Sequence, residues 1–140
     1  MPEHAFVDTS FLVARFNRSD ARHRAARRIL EGMRQPGAVV YRLVFSDYVF
    51  DESVTTIRFR TGRHEMAATA GRAMRDSRTL HLIRVEPPVF EAAWRLFLDR
   101  KDKEWSFTDC TSFVLMESLD IRKALSFDDN FRQAGFAMLP

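Results

Sequence analysis

The chain has 140 residues, is 46% hydrophobic and carries a formal charge of +3. That length suits one compact domain spanning residues 1–140, large enough to bury about two-thirds of the surface of its unfolded form. The lone Cys110 excludes an internal disulfide and a cysteine-based zinc cluster. Nothing approaches the ~20 apolar residues that cross a bilayer, and the start Met1-Pro2-Glu3-His4 lacks the layout of a secretory leader, so a cytoplasmic protein without membrane attachment is expected.

In chain order, Ala5-Phe6-Val7 reads as a short buried strand that stops at Asp8. Thr9 or Ser10 can cap a helix carrying Phe11, Leu12, Ala14 and Phe16, and a second helix is expected from about Ala21 to Met33. The β-branched pair in Ala38-Val39-Val40-Tyr41 predicts the next strand. From Ser46 the spacing of Tyr48, Val49, Val54 and Ile57 turns helical, and a further helix follows Thr61-Gly62 to about Arg75. Leu80 to Val85 predicts a third strand, and Pro87-Pro88 opens a helix through Phe90, Trp94 and Leu98. After a charged loop from Arg100 to Glu104, Thr108 is the expected cap of a helix carrying Cys110, Phe113, Val114 and Leu119. Ala124 to Phe127 and Phe136 to Leu139 complete the strands. Strands alternating with helices imply an α/β fold, a three-layer α/β/α sandwich around a mainly parallel sheet.

Four acids punctuate this layout: Asp8, Glu52, Asp109 and Asp128. Ligands of open parallel sheets bind beyond the carboxyl ends of the strands, where Asp8 and Asp128 fall, and the early helical turns holding Glu52 and Asp109 can begin at the same edge. Carboxylates brought within a few ångströms repel one another unless one protonates or a cation intervenes. Magnesium or manganese satisfies such a set, because both prefer hard oxygen ligands and accept waters and phosphate oxygens as the remainder. The chemistry indicated is phosphodiester hydrolysis by metal-activated water. Taken singly each acid has a plainer role: Asp8 as a helix cap, Asp109 as a first-turn acid, Glu52 beside Asp51 on a solvated face, and Asp128 or Asp129 in a turn with Asn130.

The basic residues are mostly arginine, the lysines being Lys101, Lys103 and Lys123. The pI of about 9.5 and the arginine clusters between Arg15 and Arg34 and between Arg58 and Arg78 are compatible with phosphate binding and equally with solvated helix faces. His4, His23, His64 and His81 lie outside any nucleophile motif, and the glycines are isolated, so neither a serine or cysteine hydrolase nor a phosphate-loop nucleotide binder is indicated.

The segments Val7-Asp8-Thr9-Ser10, Asp47 to Thr55, Ser106-Phe107-Thr108-Asp109-Cys110-Thr111-Ser112-Phe113 and Ala124-Leu125-Ser126-Phe127-Asp128-Asp129-Asn130-Phe131 resemble the PIN-domain nucleases. They look most like the VapC ribonuclease toxins of type II toxin–antitoxin modules, over essentially the whole chain to Pro140. The resemblance implies an RNA substrate, single-stranded or looped, a magnesium or manganese cofactor, a VapB-like antitoxin and a homodimer. It implies that Asp8 and Asp109 are the principal metal-binding acids, with Glu52 and Asp128 completing the catalytic set. Ser10 and Ser126 would orient carboxylates, and Asp129 is a possible extra acid. Arg15, Arg18, Arg58 and Arg60, near these motifs, are the candidate RNA-binding residues. A housekeeping RNA-processing nuclease, separable by the absence of a neighbouring antitoxin gene, and a catalytically weak RNA- or protein-binding module, separable by metal-dependent turnover, are the alternatives.

Overall fold

Ala5, Phe6 and Val7 are all fully buried. Successive strand residues point to opposite faces, so this run requires cover on both sides of the sheet. The computed structural model describes residues 2–139, leaving Met1 and Pro140 of the expected domain span outside the described residues. Its sheet is parallel throughout, in the order β3-β2-β1-β4-β5, built from β1 (Glu3–Val7), β2 (Tyr41–Ser46), β3 (Leu80–Ile83), β4 (Lys123–Leu125) and β5 (Ala137–Leu139). Among the described residues seven helices accompany it: α1 (Thr9–Phe16), α2 (His23–Met33), α3 (Asp47–Thr61), α4 (His64–Asp76), α5 (Pro87–Asp99), α6 (Phe107–Ser118) and α7 (Asn130–Gln133). This is the expected α/β/α arrangement.

The topology places the reactive edge. β1 is central, β2 and β3 extend the sheet to one side, and β4 and β5 extend it to the other. The chain therefore changes direction between β1 and β4, which opens a crevice at their carboxyl ends. Phe6 pairs with Ala124 and Val7 with Leu125, and the Asp8 amide donates to the Leu125 carbonyl at 3.0 Å. Beneath that edge Phe6 stacks on Phe131 at 6.1 Å and Phe113 meets Phe131 edge-on at 5.0 Å, an apolar support with the geometry that aromatic pairs favour.

Several boundaries depart from the sequence expectations. The second strand is Tyr41–Ser46, not Ala38 to Tyr41. Val39 and Val40 are 51% and 68% exposed, whereas Leu43, Val44 and Phe45 are buried, so burial between neighbouring strands outweighed the β-branched preference of the valine pair. β3 stops at Ile83 because the Val85 amide leaves the ladder and donates to Asp47 Oδ1 at 3.0 Å. The second helix begins at His23, since Asp20 Oδ1 captures the Arg22 amide at 2.8 Å, a local turn that competes with the first helical turn. α6 is capped by Ser106 rather than Thr108, and α7 has no counterpart among the expected elements.

α3, which carries Glu52, ends at Gly62 with φ 67°, and the Gly62 amide donates to the Arg58 carbonyl. Glycine takes this left-handed cap without a Cβ penalty. α4 packs on α3, with Gly71 facing Val54 and Phe50. A Cβ on Gly71 would meet Val54 Cγ2 at 3.2 Å and Phe50 Cζ at 3.5 Å. Gly71→Leu is expected to cost about 1–3 kcal/mol by overpacking, measured as a lower midpoint in urea unfolding; an unchanged midpoint would show that α4 does not press on α3 at this point.

Candidate active site

Asp8 is the residue at which β1 becomes α1. Its extended backbone makes it the helix N-cap, so the plain structural role and the site role fall on one side chain. The carboxylate is 2% exposed. Its Oδ2 accepts hydrogen bonds from Ser126 Oγ at 2.8 Å, Ser10 Oγ at 2.9 Å and the Ser10 amide at 3.4 Å. Each hydroxyl spends its one proton on Asp8, leaving the oxygens to accept from the Phe127 amide, at 2.9 Å to Ser10, and from the Asp128 amide, at 3.0 Å to Ser126. The serine pair thereby locks the end of β4 to the start of α1. Among the described residues no donor reaches Asp8 Oδ1.

Asp109 repeats the arrangement. It lies in the first turn of α6 and forms a capping box with Ser106, whose Oγ accepts from the Asp109 amide at 3.0 Å. Asp109 Oδ2 accepts in return from the Ser106 amide and from Asn130 Nδ2, both at 3.0 Å. Its Oδ1 receives no donor among the described residues. Each acid is thus oriented through one oxygen while the other remains open.

Both line a cleft of about 980 Å3 together with Glu52 from α3 and Asp128 from the loop after β4. Burial pushes the Asp8 carboxyl up from an ordinary 3.8 to about 6, with the serine hydroxyls opposing and the charges of Asp109 and Asp128 reinforcing. Burial is likewise the leading cause of the raised values of Glu52 and Asp109. For Glu52 the charges of Asp8, Asp128 and Asp51 add to it. The Thr9 hydroxyl, which would lower the Glu52 value, is buried and completes no hydrogen bond among the described residues.

The neighbouring acids part company. Asp51 is exposed and accepts from Thr55 Oγ1 at 3.4 Å, while Asp129 is paired with Arg132 at 2.6 Å outside the cleft. Of the four arginines near the motifs, Arg60 alone lines this cleft, held at 3.4 Å from Asp20; Arg15 and Arg18 line a separate groove and Arg58 lines neither. Sequence reasoning missed Arg22, Arg63, Glu104 and Ser106, which also line the cleft, and gave Asn130 no role beyond a turn. Arg22 donates to the Phe127 carbonyl at 2.9 Å and covers its ring at 5.1 Å. Only the spacing Ser106 to Asp109, a capping-box pattern, was available as a signal.

Among the described residues no three carboxylate, histidine or cysteine side chains converge tightly enough to form a complete metal cage. The donor set nevertheless fits a hard divalent ion: all four groups are oxygen acids, two present an open oxygen, and three are held above their ordinary pKa by burial and like charge. Magnesium in particular binds through one or two carboxylates and keeps waters and phosphate oxygens for the rest.

The PIN domain family model matches residues 5–137. The chain belongs to the PIN-domain nuclease family and, within it, to the VapC type. The 23S rRNA-specific endonuclease VapC20 of Mycobacterium tuberculosis is 37% identical over 131 residues, covering 94% of each chain, in both strains compared. The crystal structure of M. tuberculosis VapC20, described as a sarcin-ricin loop cleaving toxin, superposes with a TM-score of 0.83 at 34% identity over 95% of this chain and 96% of that one. VapBC2 from Rickettsia felis, bound to a DNA fragment from its promoter, shares the fold with a TM-score of 0.69 at 12% identity over 96% of each chain.

The raised pKa of Asp8 makes a stability statement. A carboxyl whose folded pKa exceeds its unfolded one stabilises the fold fully below the unfolded value, and that contribution is lost as pH rises through the folded value of about 6. Asparagine cannot ionise, so with EDTA present the melting temperature of Asp8→Asn should climb relative to the parent between about pH 4 and about pH 7, by the equivalent of at most about 3 kcal/mol. A difference that stays flat across that range would place the carboxylate in solvent rather than in a buried site.

Proposed function

We propose that this chain is a magnesium- or manganese-dependent endoribonuclease that serves as the toxin of a VapBC-type pair. The observation that carries the reading is the matched orientation of Asp8 and Asp109, each with one tied and one open oxygen, in a cleft that also holds Glu52 and Asp128. Asp8 and Asp109 would hold the ion, with Glu52 and Asp128 completing the acidic set. Bound there, the ion supplies neutralisation of the charge growing on the phosphorus oxygens and a more acidic water. The protein's part is positional. Ser10 and Ser126 keep the Asp8 carboxylate facing the cleft and donate hydrogen bonds that offset its burial, and Ser106 and Asn130 do the same for Asp109, so neither acid reorganises during reaction. Asp129, paired with Arg132 and not lining the cleft, is left out of this proposed set.

The substrate class is RNA. The M. tuberculosis relative that spans the same length is named for 23S rRNA, and a ribosomal RNA loop is the first target to examine. Loops suit such a cleft because their unstacked strands bring a phosphodiester within reach of side chains. The site of action would be the cytoplasm, and no described helix is long and apolar enough to cross a membrane.

The regulatory partner would be a VapB-like antitoxin whose basic side chain enters the acidic cleft and competes with the ion. Homodimerisation is supported by α5, where Phe90, Trp94, Phe97 and Leu98 are 38%, 45%, 39% and 51% exposed, a contiguous apolar face of the kind that marks interfaces.

Purified protein free of antitoxin should cut a 23S rRNA fragment with magnesium or manganese and not with EDTA. Asp8→Asn and Asp109→Asn should each lower kcat by at least about 100-fold, and Asp129→Asn by less than about threefold. Cutting that survives in Asp8→Asn would remove Asp8 from the metal site. Light scattering should give twice the 16.3 kDa chain mass for the parent and the single mass for Trp94→Glu; a parent that is already monomeric would leave α5 without this role.

A further inference from the structure

The cleft continues beyond its acids. Two of its wall residues, Arg63 and Met66, also line a second groove of about 660 Å3, so the two adjoin at these side chains. Arg15, Arg18 and Arg27 line that second groove over an apolar floor of Phe16 and Ala70. Its one acid, Glu65, lies 3.6 Å from Arg72. Arg27 has only a 3.9 Å contact with Glu31, with both side chains 61% exposed, an arrangement worth little in water. Among the described residues Arg15 and Arg18 have no carboxylate within ion-pair distance. Arg15 is half-buried with its guanidinium 5.1 Å over the Phe16 ring, and the charges of Arg27 and Arg34 bear on it. The groove therefore holds positive charge that the protein leaves largely uncompensated.

We infer that this groove is a track for the RNA backbone: the strand whose scissile phosphate lies at Asp8 and Asp109 runs past Arg63 and sets successive phosphates against Arg15, Arg18 and Arg27. Guanidinium groups match phosphate oxygens bidentately. A polyanion is the occupant that such a groove selects, and its place beside a cleft that would hold a cation favours an RNA strand, whose phosphodiester that cation would meet, over an acidic protein segment. The register of the strand and the choice of RNA as occupant rest on the nuclease reading; the anion-binding groove itself does not.

The test uses the full chain carrying Asp8→Asn to suppress cutting. Anisotropy of labelled trinucleotide and dodecanucleotide RNAs is followed between about 50 and about 300 mM salt. With Arg15→Gln, Arg18→Gln and Arg27→Gln combined, the slope of log Kd against log salt for the dodecanucleotide should fall by about 2, at about 0.7 per lost phosphate contact. The advantage of the longer RNA over the shorter should shrink by about tenfold or more. The corresponding triple lysine variant should keep the slope. Should the glutamine triple variant fail to fold, each single variant should still lower the slope by about 0.7. An unchanged slope and length advantage would overturn the track, as would loss of affinity for a polyglutamate peptide with RNA binding untouched. If the parent cuts no RNA but the slopes change as stated, the track stands and the nuclease reading falls; if it cuts and the slopes do not change, the reverse holds.

Discussion

Asp8 is a carboxylate buried to 2% exposure that meets two serine hydroxyls and one backbone amide on a single oxygen. One serine belongs to the first turn of α1 and the other follows β4, more than a hundred residues later. The arrangement joins the two central strands at the edge where chain direction changes, and it also leaves a charge that the protein alone does not neutralise. Desolvation outweighs the hydrogen bonds, so the carboxyl titrates near 6 rather than 3.8. The side-chain link between the end of β4 and the start of α1, and the buried charge at the base of the cleft, both pass through this one residue.

Structural and chemical roles coincide at this edge because of how parallel sheets are built. Every strand that ends there hands the chain to a loop or helix whose first amides lack partners. Asp8 satisfies those of α1, Ser46 accepts from Val49 at 3.0 Å to start α3, and Ser106 with Asp109 starts α6. Carboxylates chosen as caps are thereby aimed at the crevice, and the positive ends of the helices favour their negative charge. Capping occupies one oxygen of each group and leaves the other open, so the capping role does not exclude holding a metal.

In the proposed reading the two charge surfaces divide the work. Acids gather where β1 and β4 end, and uncompensated arginines gather in the adjoining groove. The bond to be cut and the chain that carries it ask for opposite charges, a cation at the reacting phosphate and guanidinium groups along the neighbouring ones. Arg60 and Asp20, which both line the cleft, form an ion pair at 3.4 Å and so compensate one another.

The apolar runs Ala5 to Val7 and Ala124-Leu125, the helical spacing from Ser46 and the ordered acids were legible because each is a local pattern with a local cause: burial on both faces, a 3.6-residue period, or a carboxylate at the end of a strand. The strand at Tyr41–Ser46 was not, since two exposed valines carried the stronger propensity and only neighbouring β1 and β3 decide which residues are buried. Nor could spacing choose Glu52 over Asp51 or Asp128 over Asp129. A helix turns about 100° per residue, and a loop turns freely, so adjacent acids face different ways. Asp129 pairs with Arg132 at the surface, and Ser126 accepts from the Asp128 amide. The residue types of the site were determined by the sequence alone. Which of them share one cleft was decided by tertiary structure, because long-range hydrogen bonds between Ser126 and Asp8 and between Asn130 and Asp109 exist only once the sheet has formed.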